Sequence, residues 1–261
     1  MESNQFKAFE NKISIMRELC NGESLNFAND TQELKNTYEF FYKNIYDYAD
    51  ALSKIDNDRK IGGILRSNTG IFVEYAAHSL ALMAWKDLGG DMDKIRISKE
   101  KILVPVKEEY IESQSEDIKS FLYSKRNQGY QCSVDKHVFI ENELVLAIEC
   151  KAYAENAMLK RIITDMGFIQ SAYPASKCYL FMLESQLGGD YSELKDNTLG
   201  SFSTHAIISN IGVRDFKILT HLQGNRLVKQ PIFDRKFYKP ISKRMLDRTL
   251  KLFKNDLIKY K

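Results

Sequence analysis

At 261 residues, with 44% hydrophobic and 11% aromatic residues, the chain can bury a full core as one large domain or as one domain with an appended lobe. No apolar run reaches bilayer-spanning length and MESNQFKAFENK has none of the marks of a secretory leader, so a cytoplasmic protein without a membrane segment is expected. Cys20, Cys132, Cys150 and Cys178 are widely spaced with no zinc-ligand pattern, which argues for reduced thiols rather than disulfides or structural zinc. The net charge of +3 conceals a basic end, since residues 229–261 carry 11 Lys/Arg against 3 Asp/Glu while the rest is acidic. Such an asymmetry suits contact with a polyanion through a selected surface, or a solvated terminal helix.

Taken in chain order, the first stretch to about Lys54 predicts helices, because Phe6, Phe9, Ile13 and Met16 recur three or four apart, as do Tyr38, Phe41, Ile45 and Tyr48. GGILRSNTG reads as a lead-in to a buried helix, IFVEYAAHSLALMAWKDLGG, closed by Gly89-Gly90. Extended segments are expected at KILVPV, YQCSVDKHVFI and ELVLAIECKAY. ENAMLKRIITDMGFIQSAY has helical spacing and stops at Pro174, giving way to the apolar strand CYLFMLE. THAIISN and KILTHL read as further strands, and ISKRMLDRTLKLFKNDLIKY as a basic closing helix. The order predicts an α/β fold, a mixed central sheet flanked by helices, with additional N-terminal and C-terminal helices.

The segment SVDKHVFIENELVLAIECKAY reads as a hairpin around Glu141, Asn142 and Glu143. Leu144 to Ile148 are all apolar, as in a buried central strand, and the run ends in Glu149-Cys150-Lys151. Alternation puts Glu149 and Lys151 on one face and Cys150 on the other. A three-residue turn, 141–143, sets Ile140 opposite Leu144 and Asp135 opposite Glu149, with Cβ atoms roughly 5 Å apart. A two-residue turn would send the two carboxylates to opposite faces.

Carboxylates that close share a proton or a cation. Asp135 and Glu149 with a backbone carbonyl, that of Cys150, form a set of hard oxygen ligands for Mg²⁺, with open positions left for a phosphate oxygen and a water. Lys151 could then position the water or stabilise developing negative charge.

An acid on one strand of a hairpin and (D/E)xK on the next, with helices before and after, resembles the PD-(D/E)xK nucleases, which include most type II restriction endonucleases. The matching positions are Asp135, Glu149 and Lys151, within residues of about 60–185, and Val134 stands where the motif has proline. The resemblance implies a restriction-endonuclease-like core and Mg²⁺-dependent hydrolysis of DNA, with Mn²⁺ as a substitute. It also implies a site glutamate on the preceding helix, for which Glu74 is suitably placed, although a buried ion pair with Arg66 or Lys151 would equally explain an acid there. The triplet alone is unspecific: eight (D/E)xK matches begin at Glu10, Glu33, Asp58, Asp117, Glu149, Glu193, Asp215 and Asp234. Only Asp215-Phe216-Lys217 rivals Glu149, and it lacks an acid on a preceding paired strand.

His78, His137, His205 and His221 show no metal spacing, and His137, on the face of Asp135, is read as structural. KQPIFDRKFYKPISKR interleaves Arg and Lys with Phe233, Phe237 and Tyr238, a composition able to meet phosphates and bases. The expected protein is a single catalytic domain, 1–261, with a nuclease core at about 60–185, a helical region at 1–55 and a basic region at 229–261. The expected function is a homodimeric type II restriction endonuclease cutting double-stranded DNA at a short specific sequence. A structure-specific or repair nuclease of the same fold, and a catalytically silent DNA-binding protein, are the alternatives.

Overall fold

The computed structural model describes residues 2–53, 58–125, 127–185, 202–223 and 238–261. Its helices and strands follow in the order α1 (Glu2–Cys20), α2 (Thr31–Ser53), α3 (Asp58–Asp87), β1 (Ile95–Ser98), β2 (Ile102–Pro105), α4 (Glu108–Glu112), α5 (Glu116–Ser124), β3 (Gly129–Cys132), β4 (Lys136–Ile140) and β5 (Glu143–Ala154). Then come α6 (Asn156–Ala172), β6 (Lys177–Ser185), α7 (Phe202–Ile211), β7 (Phe216–Thr220) and α8 (Lys243–Leu257). The main sheet runs β1-β4-β5-β6-β7, antiparallel from β1 to β5 and parallel from β5 to β7. This is the mixed, helix-flanked sheet expected from the order of elements.

Two apolar layers cover the sheet. On one face, α1, α2, α3 and α8 bury Met16, Phe41, Phe72, Leu80 and Phe253 against Val138, Leu146, Ile148 and Phe181. On the other, α6 buries Leu159, Ile162, Ile163, Met166 and Ile169 against Phe139, Ala147 and Leu180. The three-to-four spacing of those α6 residues makes the stripe that fits the sheet. As the crossover between the parallel strands β5 and β6, α6 fixes the direction in which β5 leaves the core.

Three expectations need correction. GGILRSNTG is not a lead-in but part of α3, which starts at Asp58. Its three glycines, Gly62, Gly63 and Gly70, cost a helix about 1 kcal/mol each relative to alanine, and the buried seam from Phe72 to Trp85 makes up for it. THAIISN lies in the helix α7 rather than a strand. Ile207 and Ile208 follow Thr204 at helical spacing and pack on the α6 layer, a case where a short apolar run fits both periods. YQCSVDKHVFI is not one strand: β3 pairs with β2 in a separate two-stranded sheet, and β4 belongs to the main one. The whole first part of the basic region, Lys229 to Phe237, including Phe233, lies outside the described residues. Tyr238 packs its ring against Tyr38 and Tyr42.

Candidate active site

The hairpin reaches the expected register by a different route. Ile140 pairs with Glu143, so the turn has two residues, Glu141 and Asn142, with Glu141 in the left-handed region at φ 55°. Further along, Phe139 pairs with Leu144 but Val138 pairs with Leu146, leaving Val145 as an extra residue in β5. That bulge cancels the one-residue deficit of the turn. Lys136 therefore pairs with Ile148, and Asp135, one residue beyond β4, lies across from Glu149. Val145 turns with Leu146 into the α3 layer while Leu144 stays in the α6 layer, as the bulge requires.

β5 outruns β4 at this point, so Glu149 and Lys151 are flanked by β6 on one side and by Asp135 on the other. The Asp135 carboxylate accepts the Cys150 N–H at 2.9 Å through Oδ2, and the Asp135 N–H donates to Glu149 Oε2 at 3.3 Å. The Lys151 ammonium lies 3.2 Å from Asp135 Oδ2, 2.5 Å from Glu149 Oε1 and 3.1 Å from the Cys150 carbonyl oxygen. Three oxygens that could bind a metal thus converge on one cation, with the ammonium as the stand-in ion. All are hard donors suited to Mg²⁺ or Mn²⁺. Among the described residues no three His, Cys, Asp or Glu side chains cluster as a metal site, so a carbonyl has to complete this set.

The two carboxylates differ in environment. Burial pushes the Glu149 carboxyl up, the Asp135 charge adds to it, and Lys151 only partly compensates, so the group sits above the ordinary glutamate value. Burial acts in the same direction on Asp135, but the Lys151 charge, the Lys99 ammonium and the Cys150 N–H outweigh it and hold this carboxyl below its ordinary value. Lys151 stays charged because its two acids outweigh the cost of its burial. The cluster thus keeps one firmly ionised acid beside one that takes up a proton more readily.

Glu74 is one lysine removed from that cluster. From α3 its carboxylate pairs with Lys136 at 2.9 Å, and Lys136 is 1% exposed and also donates to the Cys20 carbonyl at 3.3 Å. Neither Arg66 nor Lys151 is its partner in these contacts. Lys99, just past β1, connects Glu74 to the hairpin, with its ammonium 3.6 Å from Glu74 Oε1 and 2.9 Å from Asp135 Oδ1. Lys99 and Lys136 escape a reading of the sequence by spacing. Lys136 left one signal, a lysine directed by alternation to the buried face of a core strand. Lys99, in a polar run, left none.

His137 is fully buried, and burial lowers its imidazole to about 4, as for a neutral structural histidine. Asp215 pairs with Lys177 and Lys217 approaches Asp256, so the rival triplet is tied up in separate ion pairs.

Among the described residues no helix is long and apolar enough to cross a membrane. No protein-family model matches the chain. Its fold in outline is similar to that of the native BbvCI A2B2 tetramer, at a TM-score of 0.42 and 14% identity, with 99% of this chain and 87% of that one covered. The chain is 40% identical over 206 residues to the type II restriction enzyme DdeI of Desulfomicrobium norvegicum, an alignment covering 77% of this chain and 86% of that protein. Identity of that extent, over nearly the whole relative, shows that the chain belongs to the type II restriction enzymes and is a DNA endonuclease.

Proposed function

We propose that the active site of this restriction endonuclease is of the PD-(D/E)xK kind and is formed by Asp135, Glu149 and Lys151, with the Cys150 carbonyl as a third oxygen ligand. The observation that carries the reading is the convergence of Asp135 Oδ2, Glu149 Oε1 and the Cys150 oxygen on the Lys151 ammonium. Asp135, Glu149 and the Cys150 carbonyl would hold Mg²⁺, with Mn²⁺ as a substitute. The bound ion supplies Lewis-acid polarisation of the phosphoryl group and a more acidic water.

The chain's own groups do the rest. Asp135, kept ionised by its lysines, provides a fixed negative oxygen. Glu149, whose carboxyl is raised, changes protonation more readily as the site loads. Lys151, once its oxygens are engaged elsewhere, is free to hold the attacking water or to offset charge on the phosphate. Val134 in the proline position does not interfere, because the chemistry uses no group of that residue. Glu74 acts as the counter-ion of Lys136 and Lys99 rather than as a ligand.

The substrate is double-stranded DNA carrying a short specific sequence, cut in the cytoplasm by a homodimer in which two copies of the site meet two-fold symmetric strands. The chain acts as a single catalytic domain. Incubation with long duplex DNA and Mg²⁺ should give discrete fragments, and none in EDTA. Asp135→Asn, Glu149→Gln and Lys151→Met should each abolish them. Unbroken DNA from wild type, or a smear without preferred ends, would overturn the reading.

A further inference from the structure

Three acids and three lysines form one chain of ion pairs at the site. Glu149 and Asp135 share Lys151, Asp135 and Glu74 share Lys99, and Glu74 also holds Lys136. The charges cancel within that chain. A divalent cation entering the DNA-free protein therefore meets a cluster that is already neutralised, and one of its acids has a lysine on each oxygen. Metal loading is electrostatically disfavoured until further negative charge arrives.

The position of Lys99 indicates where that charge enters. Its side chain is 55% exposed, unlike the 1% of Lys136, so it can leave Asp135 at little packing cost. It also lines a cavity of about 540 Å³ together with Arg17, Asn21, Ser98 and Glu74. Arg17 and Lys99 bring two positive charges to that cavity, while Asn21 and Ser98 add polar groups. Glu74 is the one acid among these, and Lys136 pairs with it at 2.9 Å. A phosphate is the ligand that suits such a lining.

Building on the proposed metal site, we infer that the Arg17–Lys99 cavity binds a backbone phosphate of the DNA and that Lys99, drawn to it from Asp135, makes metal loading depend on DNA. By reciprocity the metal then tightens DNA binding by the factor by which DNA tightens metal binding. Lys99 is a positioning residue here, since it acts on the reaction through Asp135.

Mn²⁺ binding to the DNA-free protein, followed by electron paramagnetic resonance, tests the first half. Lys99→Met should bind Mn²⁺ more tightly than wild type by about 5-fold or more, while Lys99→Arg, which keeps the charge, should stay near wild type. Binding to a mixed-sequence duplex in EDTA tests the second half. Lys99→Met and Arg17→Met should each weaken it and reduce the slope of log affinity on log salt by about one. Unchanged or weaker Mn²⁺ binding by Lys99→Met, or an unchanged salt slope, overturns the inference. Asp135→Asn separates this from failure of the site itself: if that variant binds Mn²⁺ like wild type, the metal site is misassigned. If it loses Mn²⁺ while Lys99→Met gains nothing, only the role of Lys99 fails.

Discussion

Asp135 and Glu149 lie across from each other at the end of β4, and the N–H of one donates to the carboxylate of the other at 3.3 Å. In this sequence that relationship depends on a bulge far from both. The two-residue turn would by itself place the carboxylates on opposite faces, and the extra residue at Val145 brings them back to one.

Deleting Val145 removes the extra residue and the bulge together, so Phe139 still meets Leu144, Val138 still meets Leu146, and Asp135 still lies across from Glu149. Mg²⁺-dependent cleavage should therefore persist in the deletion variant. Because Val145 is buried, the variant is also expected to be less stable than wild type, so cleavage is compared at a temperature where circular dichroism shows both proteins folded. Complete inactivity of the folded variant would show that the bulge matters for something other than register.

Glu74, only partly buried, is the counter-ion of the buried Lys136, so removing one partner differs from removing both. Glu74→Gln leaves the Lys136 ammonium uncompensated at 1% exposure, which costs about 3–5 kcal/mol. Glu74→Gln with Lys136→Met should recover most of that loss in urea denaturation. The double variant also decides what Glu74 does, because a counter-ion can be dispensed with once its lysine is gone. Substantial DNA cleavage by the stable double variant is expected; complete loss would make Glu74 part of the chemistry.

How much of this was legible beforehand depends on the range of the interactions. The sheet, the helix α6 and the alternation that puts Glu149 and Lys151 on one face follow from local periodicity, and these came through. The facing of Asp135 and Glu149 was also expected, but through a three-residue turn that does not exist, since bulges leave no mark in a run as uniformly apolar as Leu144 to Ile148. The partners of Glu74 could not be read either. Lys99 and Lys136 reach it from segments 25 and 62 residues away, and no spacing rule connects a helix to a strand end. α7 was mistaken because seven residues with two adjacent isoleucines satisfy both a strand and a helix.

Lys151 contacts all three candidate ligand oxygens, so its removal should separate binding from turnover. Lys151→Met should bind Mn²⁺ at least as tightly as wild type, having lost a competing cation. Its cleavage rate at saturating metal should fall by about 100-fold or more. Asp135→Asn, in contrast, should lose both. Weaker Mn²⁺ binding by Lys151→Met in a folded protein would mean that the lysine supports the ligands instead of standing in their place.

Glu149 should also leave a signature in stability. Its carboxyl is raised by burial and then by Asp135, so the folded state holds a proton more tightly than the unfolded state does. Stability from this group is then lost as pH rises from the ordinary glutamate value through the folded one, and the ionised carboxylate is a net cost at neutral pH in EDTA. Glu149→Gln removes that cost. Its melting temperature should exceed that of wild type at about pH 8, with the difference shrinking as pH is lowered toward about 4.3, the unperturbed value. Asp135→Asn should do the opposite, since a depressed carboxyl contributes stability above its unfolded value and loses it as pH falls through the folded one. Thermal melts of both variants and wild type in EDTA across that range provide the check. A Glu149→Gln protein that melts below wild type at high pH would show that Lys151 outweighs burial at this position. Added Mg²⁺ should reverse the order, because wild type then gains a ligand that Glu149→Gln binds poorly.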